Sequence, residues 1–498
     1  MAFSIASSYN KIRSLVESAS DDVLPAPSSI AKVTASLPSS LPVTGLGDAA
    51  TEAHLLNDIT PGFNGSKIAS NYYGFVTGGV LPIAEVADNI VTAFDQNVQV
   101  HLPDQSVSTV VEDKALSMLV ELLKLGDGWE GKTFTTGATG ANILGLACGR
   151  EAVINHRRAG KPGVGERGML AACMEAGVKE IQILTTMGHS SLYKAASVIG
   201  LGRNSLKDIP FSKHEPWRMD IDSLEQELKL TDEGVVSIVA LSAGEVNTGR
   251  YATNEKAAMK QIRALCDKYG AWLHVDGAFG IFARSLPDTP EFSSLISTTA
   301  GLELADSITG DGHKMLNVPY DCGFFLTRSA SLLSSVVGNP NAAYLSSGPS
   351  SVPSPLNMGL ENSRRFRALP VYAVLLACGR EGLGEIFARQ VRLARAVSEY
   401  IYSHEGYELL AQAPLSNKDS SNIRTWYEDT HIIVLFSAKD DRVNGELVKR
   451  INSTRKIYVS GTQWDGKSAC RIAVSTWKVD VERDLELIRS VLDGVLQR

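Results

Sequence analysis

The chain has 498 residues, of which 44% are hydrophobic and 21% are charged, and its formal net charge is −7. This length exceeds what one hydrophobic core supports, so two or more domains are expected, and the ordinary composition argues against disorder over most of the chain. The mild negative charge, without a long block of Lys and Arg, argues against a nucleic-acid partner.

The cysteines and apolar segments indicate the compartment. The six cysteines form no CxxC pair and no His-Cys cluster, which disfavours a disulfide framework and a structural zinc site and suits a reducing compartment. The N-terminus lacks the apolar stretch of a signal peptide, and no apolar run is long enough to span a bilayer. We therefore expect a soluble cytoplasmic protein that has no metal site and does not bind membranes.

The first predicted feature along the chain is a surface segment, residues 22–50, which is rich in Pro, Ser and Ala. Apolar β-rich runs follow at 180–186, 235–241, 271–279 and 323–327. Between two of them, residues 254–269 place Met259, Ile262 and Cys266 on one helical face. Strands that are apolar throughout and alternate with amphipathic helices predict an α/β fold with a mostly parallel sheet and helices on both faces.

The C-terminal third has a different pattern. Residues 338–356 are dense in Gly, Pro and Ser and predict a long loop, after which a helix is expected. Strands at 431–436 and 470–475 and a closing helix from Val481 then indicate a smaller α+β unit. We predict three parts: an N-terminal segment, 1–95; a large α/β domain, 96–350; and a small C-terminal α+β domain, 351–498.

Several polar residues are predicted at one edge of the large sheet, because ligands of parallel sheets bind at the carboxyl ends of the strands. His189 and Asp276 each follow a predicted strand, and Lys314 follows another. The glycine-rich stretch TTGATGANILGL, residues 135–146, leads into a helix whose free N–H groups suit a phosphate, with Thr139 adding a hydroxyl. By itself such a stretch is more often only a tight connection than a phosphate site.

Each of the other candidates also has an ordinary alternative. A carboxylate that ends a buried strand, as Asp276 does, needs a cation, either a neighbouring Lys or Arg or a protonated heterocyclic nitrogen. His189 is either a satisfied loop residue or a flat ring that stacks on an aromatic cofactor. Lys314, beside His313, is either solvated or an amine that attacks a carbonyl in a partly dry pocket. Together, in this order, the four features match the needs of pyridoxal phosphate.

These residues lie in blocks that resemble a known family. The blocks cover roughly residues 65–480 and include SNYYGFVTGGVLP, TTGATGANILGL, MGHSSLYKA, AGEVNTG, WLHVDGAFG, ADSITGDGHKMLNVPYDCGF and SRRFRALPVYAVL. In this order they resemble the group II pyridoxal-phosphate-dependent amino-acid decarboxylases, which have fold-type I. The resemblance implies pyridoxal 5'-phosphate as cofactor, an L-amino acid as substrate, and a homodimer with a shared active site whose N-terminal segment wraps the partner.

The resemblance also implies roles for single residues. Ala138 and Thr139 would bind the phosphate and His189 would stack on the ring, while Asp276 would pair with the ring nitrogen. Ala278 would pack against the ring, and Lys314 would form the Schiff base. His313 would lie beside the phosphate and the imine, and Tyr344, on a mobile loop, would donate a proton. Arg364 would lie near the cofactor.

The substrate and the reaction outcome stay open at this point. Tyr72, Tyr73 and Phe75 suggest an aromatic or apolar side-chain pocket, although such residues are also common in a plain core. Val246 stands where related enzymes carry a hydroxyl, so Asn247 or Thr248 would supply that polar contact. Simple decarboxylation is the leading hypothesis. The alternatives are an aldehyde-forming or carbon–carbon bond-forming enzyme of the same fold, and a catalytically silent paralogue that serves as a binding partner.

Overall fold

The computed structural model describes residues 4–66, 68–158, 161, 163–339, 352–412 and 426–497. The chain begins with three helices, α1 (Ile5–Glu17), α2 (Pro27–Ser36) and α3 (Asp48–His54). None of their residues is buried. The predicted surface segment 22–50 thus contains a helix, α2, which begins at Pro27, a residue suited to the first helical turn.

The rest of the described chain alternates between helices and strands. The helices are α4 (Pro82–Ala93), α5 (Ser108–Leu122), α6 (Ala138–Asn155), α7 (Val164–Arg167), α8 (Met169–Ala176), α9 (Ser190–Val198), α10 (Ile221–Lys229), α11 (Lys256–Tyr269), α12 (Ser293–Thr298), α13 (Gly312–Met315), α14 (Ala330–Val337), α15 (Ala368–Ser403), α16 (Asp441–Ser453) and α17 (Val481–Leu496). The strands are β1 (Asn97–Val98), β2 (Gly131–Thr135), β3 (Glu180–Thr185), β4 (Leu206–Asp208), β5 (Val235–Ser242), β6 (Trp272–Asp276), β7 (Ser307–Asp311), β8 (Gly323–Thr327), β9 (Arg364–Arg365), β10 (Tyr407–Leu409), β11 (Ile433–Ala438), β12 (Ser460–Trp464) and β13 (Lys467–Ala473).

The central sheet has seven strands in the order β2-β8-β7-β6-β5-β3-β4. Strands β7, β6, β5, β3 and β4 are parallel, whereas β8 runs antiparallel to both of its neighbours. The connection from β7 to β8 contains only the short helix α13, which is too little chain for a parallel crossover. The prediction of a mostly parallel sheet is confirmed.

Successive residues of a central strand pack into two different cores, one on each face of the sheet. In β5, Val239 and Leu241 belong to the core that contains α5 and α11 residues. Their neighbours Ile238 and Ala240 belong to the core formed with α6, α8 and α9. Because side chains alternate across a strand, apolar residues at every position require helices on both faces.

The C-terminal part contains a second, antiparallel sheet in the order β10-β11-β13-β12. The second half of α15 packs there with α16 and α17 around a core that includes Val397, Phe436 and Ile488. Helix α15 is interrupted at Gly379, whose φ of 60° and ψ of −173° are not helical. No helix in the described ranges has the length and apolar character of a membrane span.

Two histidines are fully buried, His274 in β6 and His431 just before β11. Burial lowers the pKa of His274 to about 4 and that of His431 to about 3, because the interior disfavours the charged imidazolium. His274 forms hydrogen bonds of 2.8 Å with Ser307 Oγ and 2.9 Å with Asn142 Oδ1. His431 has no hydrogen-bond partner among the described residues, and its ring stacks on Phe279. Both rings are therefore neutral near pH 7.

We expect the protein to lose stability as the pH falls below about 6.5. Below that pH the two histidines are protonated in the unfolded chain but stay neutral in the folded protein. Each of them therefore lowers the free energy of unfolding by about 1.4 kcal/mol per pH unit until the pH reaches the pKa of the buried ring. In His431→Phe the urea-unfolding midpoint should therefore depend less on pH between 6 and 4.5. His214, which is exposed, provides the control His214→Phe. Equal pH dependence in the His431 variant and the wild type would contradict this explanation.

Candidate active site

The loops at the carboxyl ends of β3, β5, β6 and β7 enclose a cleft of about 550 Å³. The parallel register explains why distant residues meet there, since Asp276 lies opposite Ser242 of β5 and Thr309 of β7. The predicted site residues that line the cleft are Phe75, Ala138, Thr139, His189, Asp276, Ala278, His313 and Lys314. A larger cavity of about 640 Å³ lies near Arg389 and Asp484 and contains none of the predicted residues.

Lys314 occupies the short helix α13 directly after β7, and 21% of its side chain is exposed. Its Nζ lies 2.9 Å from Asp311 Oδ2 and 5.9 Å from the ring centroid of Phe279. The amine therefore faces the cleft between a carboxylate and an aromatic ring rather than bulk water. The solvated alternative for this lysine does not fit the structure.

His313 lies beside Lys314 and is 7% exposed. Its Nδ1 accepts a hydrogen bond of 3.2 Å from the backbone N–H of Cys322, and its ring stacks on that of Tyr320 at 4.0 Å. Burial lowers the pKa of this imidazole and outweighs the opposing effect of the Asp311 carboxylate. The neutral ring thus has its Nε2 available at the wall of the cleft.

Asp276 is held by neutral donors. Its Oδ2 accepts a hydrogen bond of 2.8 Å from Asn142 Nδ2, and its Oδ1 accepts one of 3.2 Å from the backbone N–H of Ala278. Behind Asn142 lies His274, which connects the carboxylate to β7 through Ser307. In the described part of the chain no Lys or Arg pairs with Asp276, so the ion-pair alternative for this residue is not what the structure contains.

His189 caps the N-terminus of α9 and remains accessible from the cleft. Its Nδ1 accepts hydrogen bonds from the Ser191 N–H at 3.2 Å and the Ser191 hydroxyl at 2.7 Å. The walls of the cleft withdraw the ring from water and so lower the pKa of the imidazole. Ser191 Oγ also accepts from Asn142 Nδ2 at 3.1 Å. One asparagine therefore orients both His189 and Asp276.

The N-terminus of α6 borders the cleft through Gly137, Ala138 and Thr139. The backbone N–H of Ala138 donates a hydrogen bond of 2.6 Å to Asp311 Oδ1, and Thr139 faces the cleft one residue further on. This turn lies directly on β8, where a Cβ at Gly323 would come within 2.5 Å of Gly137 Cα. A glycine is thus required at Gly323 for the turn to reach the cleft.

Five predicted residues are not brought to the cleft, among them Thr248, which is buried and donates a hydrogen bond to Glu245. Tyr73 is fully buried in the C-terminal core and cannot contact a substrate, which corrects its assignment to a side-chain pocket. Arg364 is buried too, and its guanidinium is paired with Glu112 away from the cleft. The side chains of Tyr72 and Asn247 do not line the cleft either, since Tyr72 packs on Tyr458 and Asn247 bonds to Glu245 and Thr462.

Tyr344 lies outside the described residues, which stop at 339 and resume at 352. Three further residues were not singled out from the sequence: Asn142, Asp311 and Arg471. Asp311 ends a buried strand as Asp276 does, so the same argument would have identified it. Arg471 lines the cleft from β13 and donates to the backbone oxygens of Val246 and Gly74 at 2.7 Å. Arg471 lies far along the sequence from the other cleft residues, so no local sequence pattern connects it with them.

The geometry fits the pyridoxal phosphate that the resemblance implies. An unpaired carboxylate held by neutral donors, Asp276, suits a protonated ring nitrogen. The neutral ring of His189 suits stacking, and a helix N-terminus with Thr139 suits a phosphate. Lys314 presents its amine to the same cleft, as an aldehyde requires.

Comparison with known proteins agrees with this fit. The conserved domain of pyridoxal-dependent decarboxylases matches residues 80–418. The L-2,4-diaminobutyrate decarboxylase of Acinetobacter baumannii is 30% identical over 339 residues, which are 66% of this chain but only 62% of that protein, less than two thirds of its length. An aromatic-L-amino-acid decarboxylase of Bacillus atrophaeus is 24% identical over 426 residues, 84% of this chain and 80% of that protein.

A solved structure shows the same architecture. The crystal structure of the Rhodiola rosea 4-hydroxyphenylacetaldehyde synthase has a TM-score of 0.77 and 19% identity and covers 99% of this chain and 96% of its own. At this identity the likeness shows a shared fold, and the reaction has to be argued from the site.

Proposed function

Because the chain belongs to the family of pyridoxal-dependent decarboxylases, we propose that it removes the α-carboxyl group of an L-amino acid and releases the primary amine and carbon dioxide. The cofactor is pyridoxal 5'-phosphate. The observation that carries the proposal is that Lys314, Asp276 and His189 face one cleft at the carboxyl ends of the parallel strands.

Each residue has a defined task in this proposal. Lys314 provides the amine that attaches the cofactor aldehyde, and the first amide of α6 with Thr139 binds its phosphate. Asp276 stabilises a positive charge on the ring nitrogen, while Asn142 keeps the carboxylate directed at that atom. When bound, pyridoxal phosphate supplies a ring that accepts the electron pair left by the departing carboxyl group. Tyr344 is proposed as the donor of the proton that then replaces the carboxyl group on the α-carbon.

An aromatic or other apolar amino acid is the proposed substrate. The cleft is lined in part by the apolar side chains Phe75, Val76, Met187 and Val246. Such walls bind an apolar side chain by removing its surface from water. Arg471 adds one cation to the same cleft. The alternative to an apolar substrate is therefore an amino acid with an acidic side chain.

A second outcome at the same site is aldehyde formation, which the name of the Rhodiola rosea synthase motivates. That reaction would consume dioxygen and water and release the aldehyde, ammonia, hydrogen peroxide and carbon dioxide. The resemblance favours plain decarboxylation, because a tyrosine such as Tyr344 donates a proton. A silent paralogue is disfavoured, since Lys314, Asp276 and His189 are all present and converge.

The proposal is tested by incubating the protein and pyridoxal phosphate with a pool of L-amino acids and following the products by mass spectrometry. We expect one new amine, carbon dioxide in equal amount, and loss of one aromatic or apolar amino acid. An aldehyde with hydrogen peroxide would replace simple decarboxylation by the oxidative reaction. A protein that stays colourless and inactive would instead support the hypothesis of a catalytically silent paralogue.

A homodimer with a shared active site is proposed from the uncovered apolar surface. One face of α4 packs against the chain through Ala84, Ala87 and Val91. The adjoining face exposes Ile83, Val86 and Ile90, and Phe94 follows at the end of the helix, with exposed fractions between 39% and 73%. Helices α1 to α3 bury no residue in their own chain. Such surface suits an obligate interface with a second copy, around which residues 1–95 would wrap.

The assembly is measured by sedimentation of the protein with its cofactor, where a mass of two chains is expected and a single chain would contradict the dimer.

We also propose a cytoplasmic location. It is supported by the six cysteines, Cys148, Cys173, Cys266, Cys322, Cys378 and Cys470, none of which forms a disulfide. Recovery of the protein outside the cytoplasm in cell fractionation would contradict it.

A further inference from the structure

Asp311 is the last residue of β7, and its carboxylate lies at the position expected for the phosphate. Its Oδ1 accepts a hydrogen bond of 2.6 Å from the backbone N–H of Ala138, the first residue of α6. Its Oδ2 lies 2.9 Å from Lys314 Nζ. The residue is only 2% exposed, so these two partners, rather than water, stabilise its negative charge.

This placement conflicts with the binding of a second anion. The Ala138 amide is the group assigned to the phosphate, because the first N–H groups of a helix and its dipole favour an anion. One N–H cannot bind two anions at full strength, and two anions this close repel each other strongly away from bulk water. The same carboxylate also holds the amine that has to reach the cofactor aldehyde. Asp311 therefore contacts both points at which the cofactor is attached.

Resting on the proposed cofactor site, we propose that Asp311 is an internal competitor for the phosphate position. In cofactor-free protein its carboxylate binds the Ala138 amide and Lys314, and an incoming phosphate displaces it from both. The site consequently binds phosphate and cofactor more weakly than the same site would without this charge. It also keeps the helix N-terminus and the lysine satisfied while no cofactor is bound.

The structure offers a new partner for the displaced carboxylate. His313 Nε2 lies 3.7 Å from Asp311 Oδ1, so a small movement brings the two into contact. The backbone at Gly137 leaves room for this movement, since a Cβ there would lie 3.2 Å from His313 Cε1 and 3.5 Å from Asp311 Oδ1. His313 is thereby a positioning residue for Asp311 after displacement.

The test compares full-length cofactor-free proteins by calorimetric titration with inorganic phosphate and by absorbance titration with pyridoxal phosphate. We expect Asp311→Asn, which keeps the shape but removes the charge, to bind inorganic phosphate at least about tenfold more tightly than the wild type. It should bind pyridoxal phosphate more tightly as well. Asp321→Asn is the matched control, because Asp321 lies near His313 but pairs with Arg367 at 2.9 Å. It should bind phosphate as the wild type does.

Equal or weaker phosphate binding by Asp311→Asn would overturn the inference. If that variant does not fold, Asp311→Ser replaces it, since the shorter side chain removes the charge and adds no bulk. The phosphate titration needs no catalysis, so the two proposals fail separately. If Asp311→Asn binds phosphate more tightly but the wild type does not decarboxylate, the role of Asp311 is supported and only the proposed function is overturned. If the wild type decarboxylates but the phosphate affinity of Asp311→Asn is unchanged, the proposed function is supported and the role of Asp311 is overturned.

Discussion

Lys314→Ala is expected to abolish amine formation and to leave the protein colourless with pyridoxal phosphate. The amine that attaches the aldehyde is lost, and no other lysine of the described chain lines the cleft to replace it. Activity should fall below detection rather than decline by a modest factor. The measurement is amine release at saturating substrate, together with the visible absorbance of the dialysed protein.

Two further variants separate loss of the amine from loss of charge or fold. Lys314→Arg keeps a cation beside Asp311 but has no amine that condenses with an aldehyde, so it should be equally inactive. Lys268→Ala removes a lysine that pairs with Glu225 on the surface and should behave as the wild type. Turnover by either Lys314 variant at the wild-type rate would contradict the assignment.

Asp276→Asn is expected to lower kcat/KM by a factor of about two hundred to five thousand while the protein still binds its cofactor. Asparagine has the same shape but a single acceptor oxygen, so it can keep the hydrogen bond from Asn142 or the one from the Ala278 N–H, and the charge that holds a protonated ring nitrogen is lost. Breaking such an enclosed ion pair costs about 3–5 kcal/mol, and each 1.36 kcal/mol of lost transition-state stabilisation is a factor of ten in rate.

The matched control for this loss of charge is Asp232→Asn, at an exposed position just before the amino end of β5, whereas the cleft lies at the carboxyl end of that strand. It should retain the wild-type rate. A yellow Asp276→Asn protein with wild-type kcat/KM would show that the carboxylate does not serve the ring nitrogen. A colourless one would show that Asp276 is needed for cofactor binding itself.

Much of the fold followed from local patterns. The runs at 180–186 and 235–241 became β3 and β5, because a strand buried on both faces has to be apolar at every position. The fold-type I architecture is confirmed by the likeness to the Rhodiola rosea structure. Helix α2 was missed, since none of its residues is buried and no apolar periodicity marks it. The boundaries at 95 and 350 stay predictions.

The residues of the candidate site could be predicted from the sequence where a reactive side chain lies at the end of a predicted strand. His189, Asp276 and Lys314 were predicted at one sheet edge, and the structure places them in one cleft. The assignments of Tyr73 and Arg364 failed because the burial of a side chain depends on tertiary packing, which a short motif does not report. Arg471 was missed for the converse reason, since it comes from a strand of the C-terminal sheet.

The assignment of Lys314 is tested most sharply by locating the cofactor on the chain. The protein is saturated with pyridoxal phosphate, reduced with borohydride to make the attachment permanent, digested, and sequenced by mass spectrometry. We expect the pyridoxyl group on Lys314 in the peptide that spans β7 and β8. A reduced protein that carries the group on a different lysine, or carries none, would contradict it.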